Sequence, residues 1–584
     1  MVLAAEVNQL NRRDVLKSAG LLAATLMGTG VPPARAATGA FAAFDLRQQV
    51  GMAVALPPLA VIALNRLAFG PRPGDAYTSL DAFNALPGAD DVERLTNFVD
   101  QQLSPNFAAD TEVTNRLAAA AANLPSLNLT PSQLWATYQV PASVPDRVKP
   151  VRDVRTATLI RALYSRWQLF EVLADFWHNH FSIYAWDYSY AGATWGSYDR
   201  DVIRANTLGN FYNLLVAVAQ STAMLYYLDN FLSRDDGPNE NWARELFELH
   251  TLGAENYLGV QDPPSDDYPG YPGFTKGYVD RDVYGATSSF TGWRINNGAS
   301  GTAANNGTFQ YYDAWHWPYG PIVLRQQIPD YDGVNAGFKV LRLVADHPGT
   351  ARFICHKLCR RLIGDHPPDT LVEAAAIEFY NRRLDSDQIK QVVRFIVLSN
   401  EFRTTWGEKI KRPHEAIFSV LRGVNANLVV DAGGTSSFWS AFDQIGQPMF
   451  GRRSPEGYPD VKEAWMGTTS LLYRWRLTNG LMENSYWSAT SGTGLNTDLT
   501  GINVGGANTP NSIADFWINR LLGRPMDDAT HRAEVVKIMQ GWSSPSPTVT
   551  PVYGPDEVMS VTSINTRLKR MVAVICMSPE FQWR

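Results

Sequence analysis

Apolar residues recur at helical spacing along most of this chain. Between Thr156 and Phe181, the residues Leu159, Leu163, Trp167, Phe170 and Leu173 keep one face, which predicts a single long helix over 156–181. Pro238-Asn239-Glu240 opens a second helix, running to about Leu252 and stopped by Gly253 in the manner of a glycine cap. Further helices are expected at 199–230, 336–347, 349–363, 369–381, 386–400, 409–425, 459–480, 510–522, 528–541 and 560–577. Strand signals are weak. Thr308-Phe309-Gln310-Tyr311-Tyr312 is rich in β-formers and reads as part of a small hairpin. Residues 254–275, 484–511 and 542–556 carry the Pro, Gly, Ser and Asn of long loops. No hinge-like linker divides the helical pattern. The expectation is therefore a mainly α protein: one large multi-helix domain over 37–584, with long loop insertions and at most a small β-hairpin.

The first 36 residues stand outside that pattern. Asn11-Arg12-Arg13-Asp14-Val15-Leu16-Lys17 is a twin-arginine box, followed by an uncharged apolar stretch from Ser18 to about Val31. Ala34 and Ala36 then form a small-residue cleavage site. That order reads as a twin-arginine signal peptide over 1–36, cleaved near Ala36, with a periplasmic or secreted destination set by export rather than by a membrane anchor. The run from Gly51 to Leu64 is broken by Pro57-Pro58 and reads as a buried N-terminal helix, since it is short for a membrane span.

Composition narrows the function classes. The chain carries 51 basic and 57 acidic residues, net −6, so nothing suggests a phosphate-binding surface, and nucleic acid is not expected as a partner. Three cysteines, Cys355, Cys359 and Cys576, are too few for a disulfide scaffold. Cys355 and Cys359 lie four apart on an expected helix and read as small core residues rather than a redox pair or metal half-site. At 45% hydrophobic and 11% aromatic, the chain can build a large core instead.

Two polar stripes are candidates for chemistry. Glu171, Asp175 and His178 sit at i, i+4 and i+7 on one helix face, with Asn179 and His180 beyond them. A carboxylate and an imidazole three apart can share a metal ion; the same groups can also cap and orient helices through hydrogen bonds. Asn241, Glu245 and Glu248 make a second stripe, with Glu240 and Arg244 able to pair and His250 just beyond. This second set reads either as a site or as a buried ion-pair network. Thr291-Gly292-Trp293-Arg294 with His316 between Trp315 and Trp317 offers a ligand or a stacked surface. Asp346 or Thr350 is expected to cap the helix after Pro348, with His347 hydrogen-bonding nearby. There is no Gly-x-Ser-x-Gly elbow, phosphate loop, Cys-x-x-Cys-His or His-Glu-x-x-His motif, which weighs against serine-hydrolase, nucleotide and haem functions.

Several blocks together resemble a large bacterial family known as domain of unknown function number 1800. They are Leu64-Asn65-Arg66-Leu67-Ala68-Phe69-Gly70, Phe176-Trp177-His178-Asn179-His180-Phe181, Asn239-Glu240-Asn241 with Ala243-Arg244-Glu245-Leu246, Leu249-His250-Thr251-Leu252-Gly253, Phe290-Thr291-Gly292-Trp293, and Trp465 with Arg474 and Arg476. The resemblance implies a helical, often exported protein, whose genes often neighbour those of a sulfatase-like exported family. It transfers no settled activity. One departure stands out: the family pattern has His-Asp where this chain has His316-Trp317.

Two functions follow as expectations. One is a metal-dependent hydrolase or oxidoreductase of the cell envelope. It would use a divalent zinc, iron or manganese ion held by His178, His180 or His250, with Glu245, Glu248, Arg244 and Asp175 as catalytic groups. The other is a non-catalytic binding or assembly protein partnering another exported enzyme, such as a sulfatase-like one. Either would engage the twin-arginine export machinery, and the first expects the two polar stripes to face each other around an open cleft.

Overall fold

A computed structural model describes residues 55–140, 147–186, 190–260, 265–431, 436–541 and 551–584. The signal peptide read over 1–36 and most of the expected loop at 542–556 lie outside the described residues. The fold is mainly α. Its strands form only small antiparallel sheets of two or three strands among the described residues. Among the described residues, no helix is long and apolar enough to cross a membrane.

The described residues pack as two compact units. One takes in the described residues of Met1–Leu95, Thr404–Gly446 and Asp460–Arg584; the other takes in those of Thr96–Arg403 and Gln447–Pro459. In the first unit the helices Pro413–Gly423, Thr468–Met482, Pro510–Leu522, Ala529–Gln540 and Val561–Met577 supply most of the core. The helix expected within 51–64 runs Leu59–Arg66. Pro510–Leu522 shows why its ends were legible: Thr509 accepts from Ser512 N–H, proline occupies the first turn, and Gly523 closes it at φ 68°. The Leu64–Gly70 block is structural here. Arg66 donates to the carbonyl of Thr405 at 2.7 Å, and Arg422 donates to that of Gly70 at 2.8 Å. Gly70 sits at φ 90°, where a Cβ would stand 2.4 Å from Ser419 Oγ. Arg474 is likewise buried, donating to the carbonyl of Trp465 at 2.5 Å and to Gln582 Oε1 at 3.2 Å; burial pushes its pKa down to about 10.

In the second unit the helix expected over 156–181 is two helices, Lys149–Tyr164 and Gln168–His180. The apolar period runs through the break, which is why the pattern hides it. Ser165 turns extended and donates to Asp110 at 2.8 Å, while Gln168 Nε2 donates to the carbonyls of Ser165 and Ala162 at 2.9 and 3.2 Å. Those bonds satisfy the open end of the first helix. The helix expected over 199–230 is likewise three pieces: a π-helical turn at Tyr198–Arg204, then Phe211–Gln220 and Thr222–Tyr227. The expected hairpin is present, with Trp293–Asn297 pairing antiparallel to Asn305–Tyr311. Helix Pro348–Leu362 is capped by neither Asp346 nor Thr350. His347 Nδ1 accepts from Gly349 N–H at 3.0 Å, and its Nε2–H donates to the carbonyl of Thr275, also at 3.0 Å. Cys355, Cys359 and Cys576 are free and buried, as expected of small core residues.

Asn241–Glu245 is α-helical and passes into a π-helical turn over Leu246–His250. Gly253 N–H then donates to the carbonyl of Phe247 at 2.9 Å with φ 90°, so glycine does end this segment. A Cβ there would lie 2.5 Å from the Phe353 ring. Gly253→Ala should therefore destabilise the protein by about 2–3 kcal/mol in denaturant unfolding. Gly501→Ala, which meets nothing within 4 Å, should stay within about 0.5 kcal/mol of the parent. Equal losses would remove the steric account.

Candidate active site

Helix Gln168–His180 ends in the Phe176–Phe181 block, and each polar side chain there takes a different partner. Trp177 Nε1–H donates to the carbonyl of Thr207 at 3.1 Å. His178 Nε2 meets Asp199 Oδ1 at 2.9 Å; the carboxylate accepts, so that nitrogen carries the proton. Asn179 pairs twice with the backbone of Tyr458, at 2.9 and 2.7 Å. His180 Nε2–H donates to the carbonyl of His250 at 3.1 Å, and the two rings lie 5.9 Å apart. Both rings are buried, and among the described residues His180 Nδ1 and both His250 ring nitrogens have no hydrogen-bond partner. Burial, with the nearby Lys357 charge, pushes the His250 pKa down to about 3 and holds that of His180 well below its usual range.

The carboxylates of the first stripe are paired with arginines that the motif reading did not single out. Glu171 accepts two bonds from Arg204, both at 2.8 Å. Asp175 lies 3.8 Å from Arg361 Nη2. Asp199 faces His178 and stands 3.6 Å from Arg161. Burial alone would raise the Asp199 pKa, but the His178 bond and the charges of Arg204 and Arg161 outweigh it and hold it at about 2. Burial opposes the Arg204 charge too, yet Glu171 raises its pKa.

The second stripe forms a different environment. Glu245 and Glu248 are half-buried at the junction of the α-helical and π-helical turns. Arg244 turns to Glu240 at 3.3 Å and Asp280 at 3.4 Å. Burial first, then the Glu248 charge, raises the Glu245 pKa to about 7; Arg244 opposes this and Glu456 adds to it. Tyr227 and Tyr278 lie within electrostatic reach of the pair, and burial raises both phenols well above their ordinary range. Tyr227 donates to the carbonyl of Arg453 at 2.7 Å.

The expected facing of the two stripes is therefore met only by His180 and His250, in a sealed aromatic setting rather than an open cleft. Glu171 and Asp175 instead pair with Arg204 and Arg361. Among the described residues, no three of His178, His180, His250, Glu245 and Glu248 bring ligand atoms within 4.8 Å of one another. The third expected group does assemble: His316 Nδ1 lies 3.0 Å from the carbonyl of Thr291, and Trp317 N–H donates to Thr291 Oγ1 at 2.8 Å. Arg294 stacks over Trp315 at 3.6 Å. Asp199, Arg161, Arg204, Tyr227, Tyr278 and Glu456 were not legible as site residues. Only the charged run Asp199-Arg200-Asp201 with Arg204, in an otherwise apolar helical pattern, hinted at Asp199 and Arg204.

The chain belongs to the family DUF1800, described as a protein of unknown function, whose model matches residues 62–583. No curated protein and no solved structure matches it.

Proposed function

We propose that this is an exported hydrolase of the cell envelope whose acid–base pair is Glu245 and Glu248. The observation that carries the reading is two half-buried carboxylates on adjoining α-helical and π-helical turns, where burial and the Glu248 charge raise the Glu245 pKa to about 7. A carboxylic acid still protonated near neutrality can donate a proton to a leaving group, and a neighbouring carboxylate can take one from water. Tyr227 and Tyr278 border the pair, and the π-helical turn is an irregularity often retained where function needs it. The twin-arginine box at residues 11–17 supports export. The alternative, a binding or assembly protein, draws support from the Trp177–Phe181 block, whose polar side chains are spent on internal partners.

A panel of chromogenic esters, glycosides and phosphomonoesters, assayed from pH 5 to 9 with protein from the exported fraction, tests the proposal. Glu245→Gln and Glu248→Gln should each lower the activity found by about 100-fold or more, without loss of thermal stability. Absence of any activity, or activity indifferent to both substitutions, would leave the binding reading in its place.

The same pKa makes a separate prediction for stability. The folded state holds the Glu245 proton more tightly than the unfolded chain, so its contribution is complete below about 4.5 and is lost as pH rises towards 7. Glu245→Gln should match the parent at pH 4.5 and exceed it at pH 8 by about 1–2 kcal/mol, allowing for solvent screening. Thermal unfolding at the two pH values checks this; a variant less stable at pH 8 would contradict it.

A further inference from the structure

The second unit contains a cavity of about 360 Å³, lined by Phe107, Val113, Leu117 and Phe170 on its apolar side and by Arg161, Arg204 and Glu171 on its polar side. The arginines differ in what they have left to offer. Arg204 spends both terminal nitrogens on Glu171. Arg200, also on the wall, is held by the carbonyls of Leu127 and Leu129 and by Asp201. Among the described residues the Arg161 guanidinium makes no hydrogen bond. Its Nη1 is shut off from solvent without an acceptor, and the nearest carboxylate oxygen, on Asp199, is 3.6 Å away and belongs to an acid already bonded to His178.

We propose that this cavity binds an organic monocarboxylate with an apolar body, its carboxylate on Arg161. A part-buried guanidinium without a hydrogen bond is costly, and a carboxylate on its Nε and Nη2 edge, which unlike Nη1 is not closed off, satisfies it in a two-pronged bond that water matches poorly. Burial and the neighbouring Arg204 already depress the Arg161 pKa, the mark of a positive charge short of compensation. A single negative charge suits the site because Glu171 and Asp110 line the same cavity and would repel a dianion. The aromatic and aliphatic wall takes the rest of the ligand, and the volume suits roughly ten to fifteen non-hydrogen atoms. The site uses neither Glu245 nor Glu248, so it stands apart from the hydrolase proposal.

Isothermal titration of the full chain with 4-phenylbutyrate, and with 4-phenylbutanamide as its uncharged counterpart, tests this. The carboxylate should bind one to one, and the amide about tenfold or more weaker. Arg161→Gln should weaken the carboxylate by about tenfold or more and leave the amide unchanged. Leu117→Trp, which fills the apolar side, should abolish binding of both. Lack of saturable binding up to about 10 mM, equal affinity for acid and amide, or unchanged binding in Arg161→Gln overturns the proposal. Should Arg161→Gln fail to fold, retained binding in Leu117→Trp overturns it as well.

Discussion

Glu171→Ala should cost about 3–5 kcal/mol of folding stability, far more than loss of a surface ion pair. Glu171 is buried and accepts both terminal nitrogens of Arg204. Without it, Arg204 and Arg161 are left with Asp199, which already accepts from His178. The cost comes from the stranded charge rather than from the lost bond, so a second substitution should recover much of it. Arg204→Met with Glu171→Leu keeps the volume and removes both charges, and Phe170, over which the Arg204 guanidinium lies at 5.0 Å, can pack against the new side chains. Denaturant unfolding of the parent, both single variants and the pair would show the pair more stable than Glu171→Ala alone. A single-variant loss under about 1 kcal/mol would mean that solvent reaches Arg204 and that the network holds little.

Mild acid should unfold the protein, and the sign follows from three buried imidazoles. Burial depresses the pKa of His250 to about 3 and of His347 to about 4, and holds His180 well below its ordinary value. The unfolded chain therefore takes up protons that the folded one refuses. The stability these rings contribute is complete above about 6.5 and is lost as pH falls towards 4, on the order of 3 kcal/mol for each of His250 and His347. Glu245 acts in the opposite direction over pH 7 to 4.5 and offsets part of the fall. Asp199, held at about 2, adds its loss only below its ordinary pKa of 3.8. Thermal midpoints from pH 7 to 4 should drop steeply in the parent and less in His250→Leu, whose side chain cannot protonate. Equal slopes in the two proteins would show that the His250 ring is not the source.

Helix positions were largely legible because caps and breakers mark them locally. Asp369–Asn381 and Pro510–Leu522 begin and end where the pattern places them. What the pattern missed are departures that keep the apolar period intact. The break at Ser165 leaves Leu163, Trp167 and Phe170 in step, and it exists because Asp110, far away in sequence, bonds the serine. The π-helical turns at Tyr198–Arg204 and Leu246–His250 shift side chains off a 3.6-residue face, so a stripe drawn through Glu245 and Glu248 does not predict their neighbours. The partners of the first stripe arrive from other helices: Arg204 for Glu171, Arg361 for Asp175 and Asp199 for His178. Local periodicity says that such groups share a face and carries no information about which distant charge will meet them.

The interleaving of the two units sets a timetable for the newborn chain. The second unit lacks its last segment until Tyr458, which Asn179 grips with two hydrogen bonds, has left the ribosome. The first unit waits longer. Residues 409–411 pair with the chain's final residues, Lys411 N–H donating to the carbonyl of Gln582 at 2.8 Å and Arg584 N–H to that of Lys409 at 3.0 Å. Its opening helix at Leu59–Arg66 is thus made early and held incomplete through almost the whole of synthesis. A ribosome stalled far enough beyond residue 460 for Tyr458 to have cleared its exit tunnel should display a finished second unit and a first unit still open to protease, and removal of residues 582–584 should leave the first unit open after release.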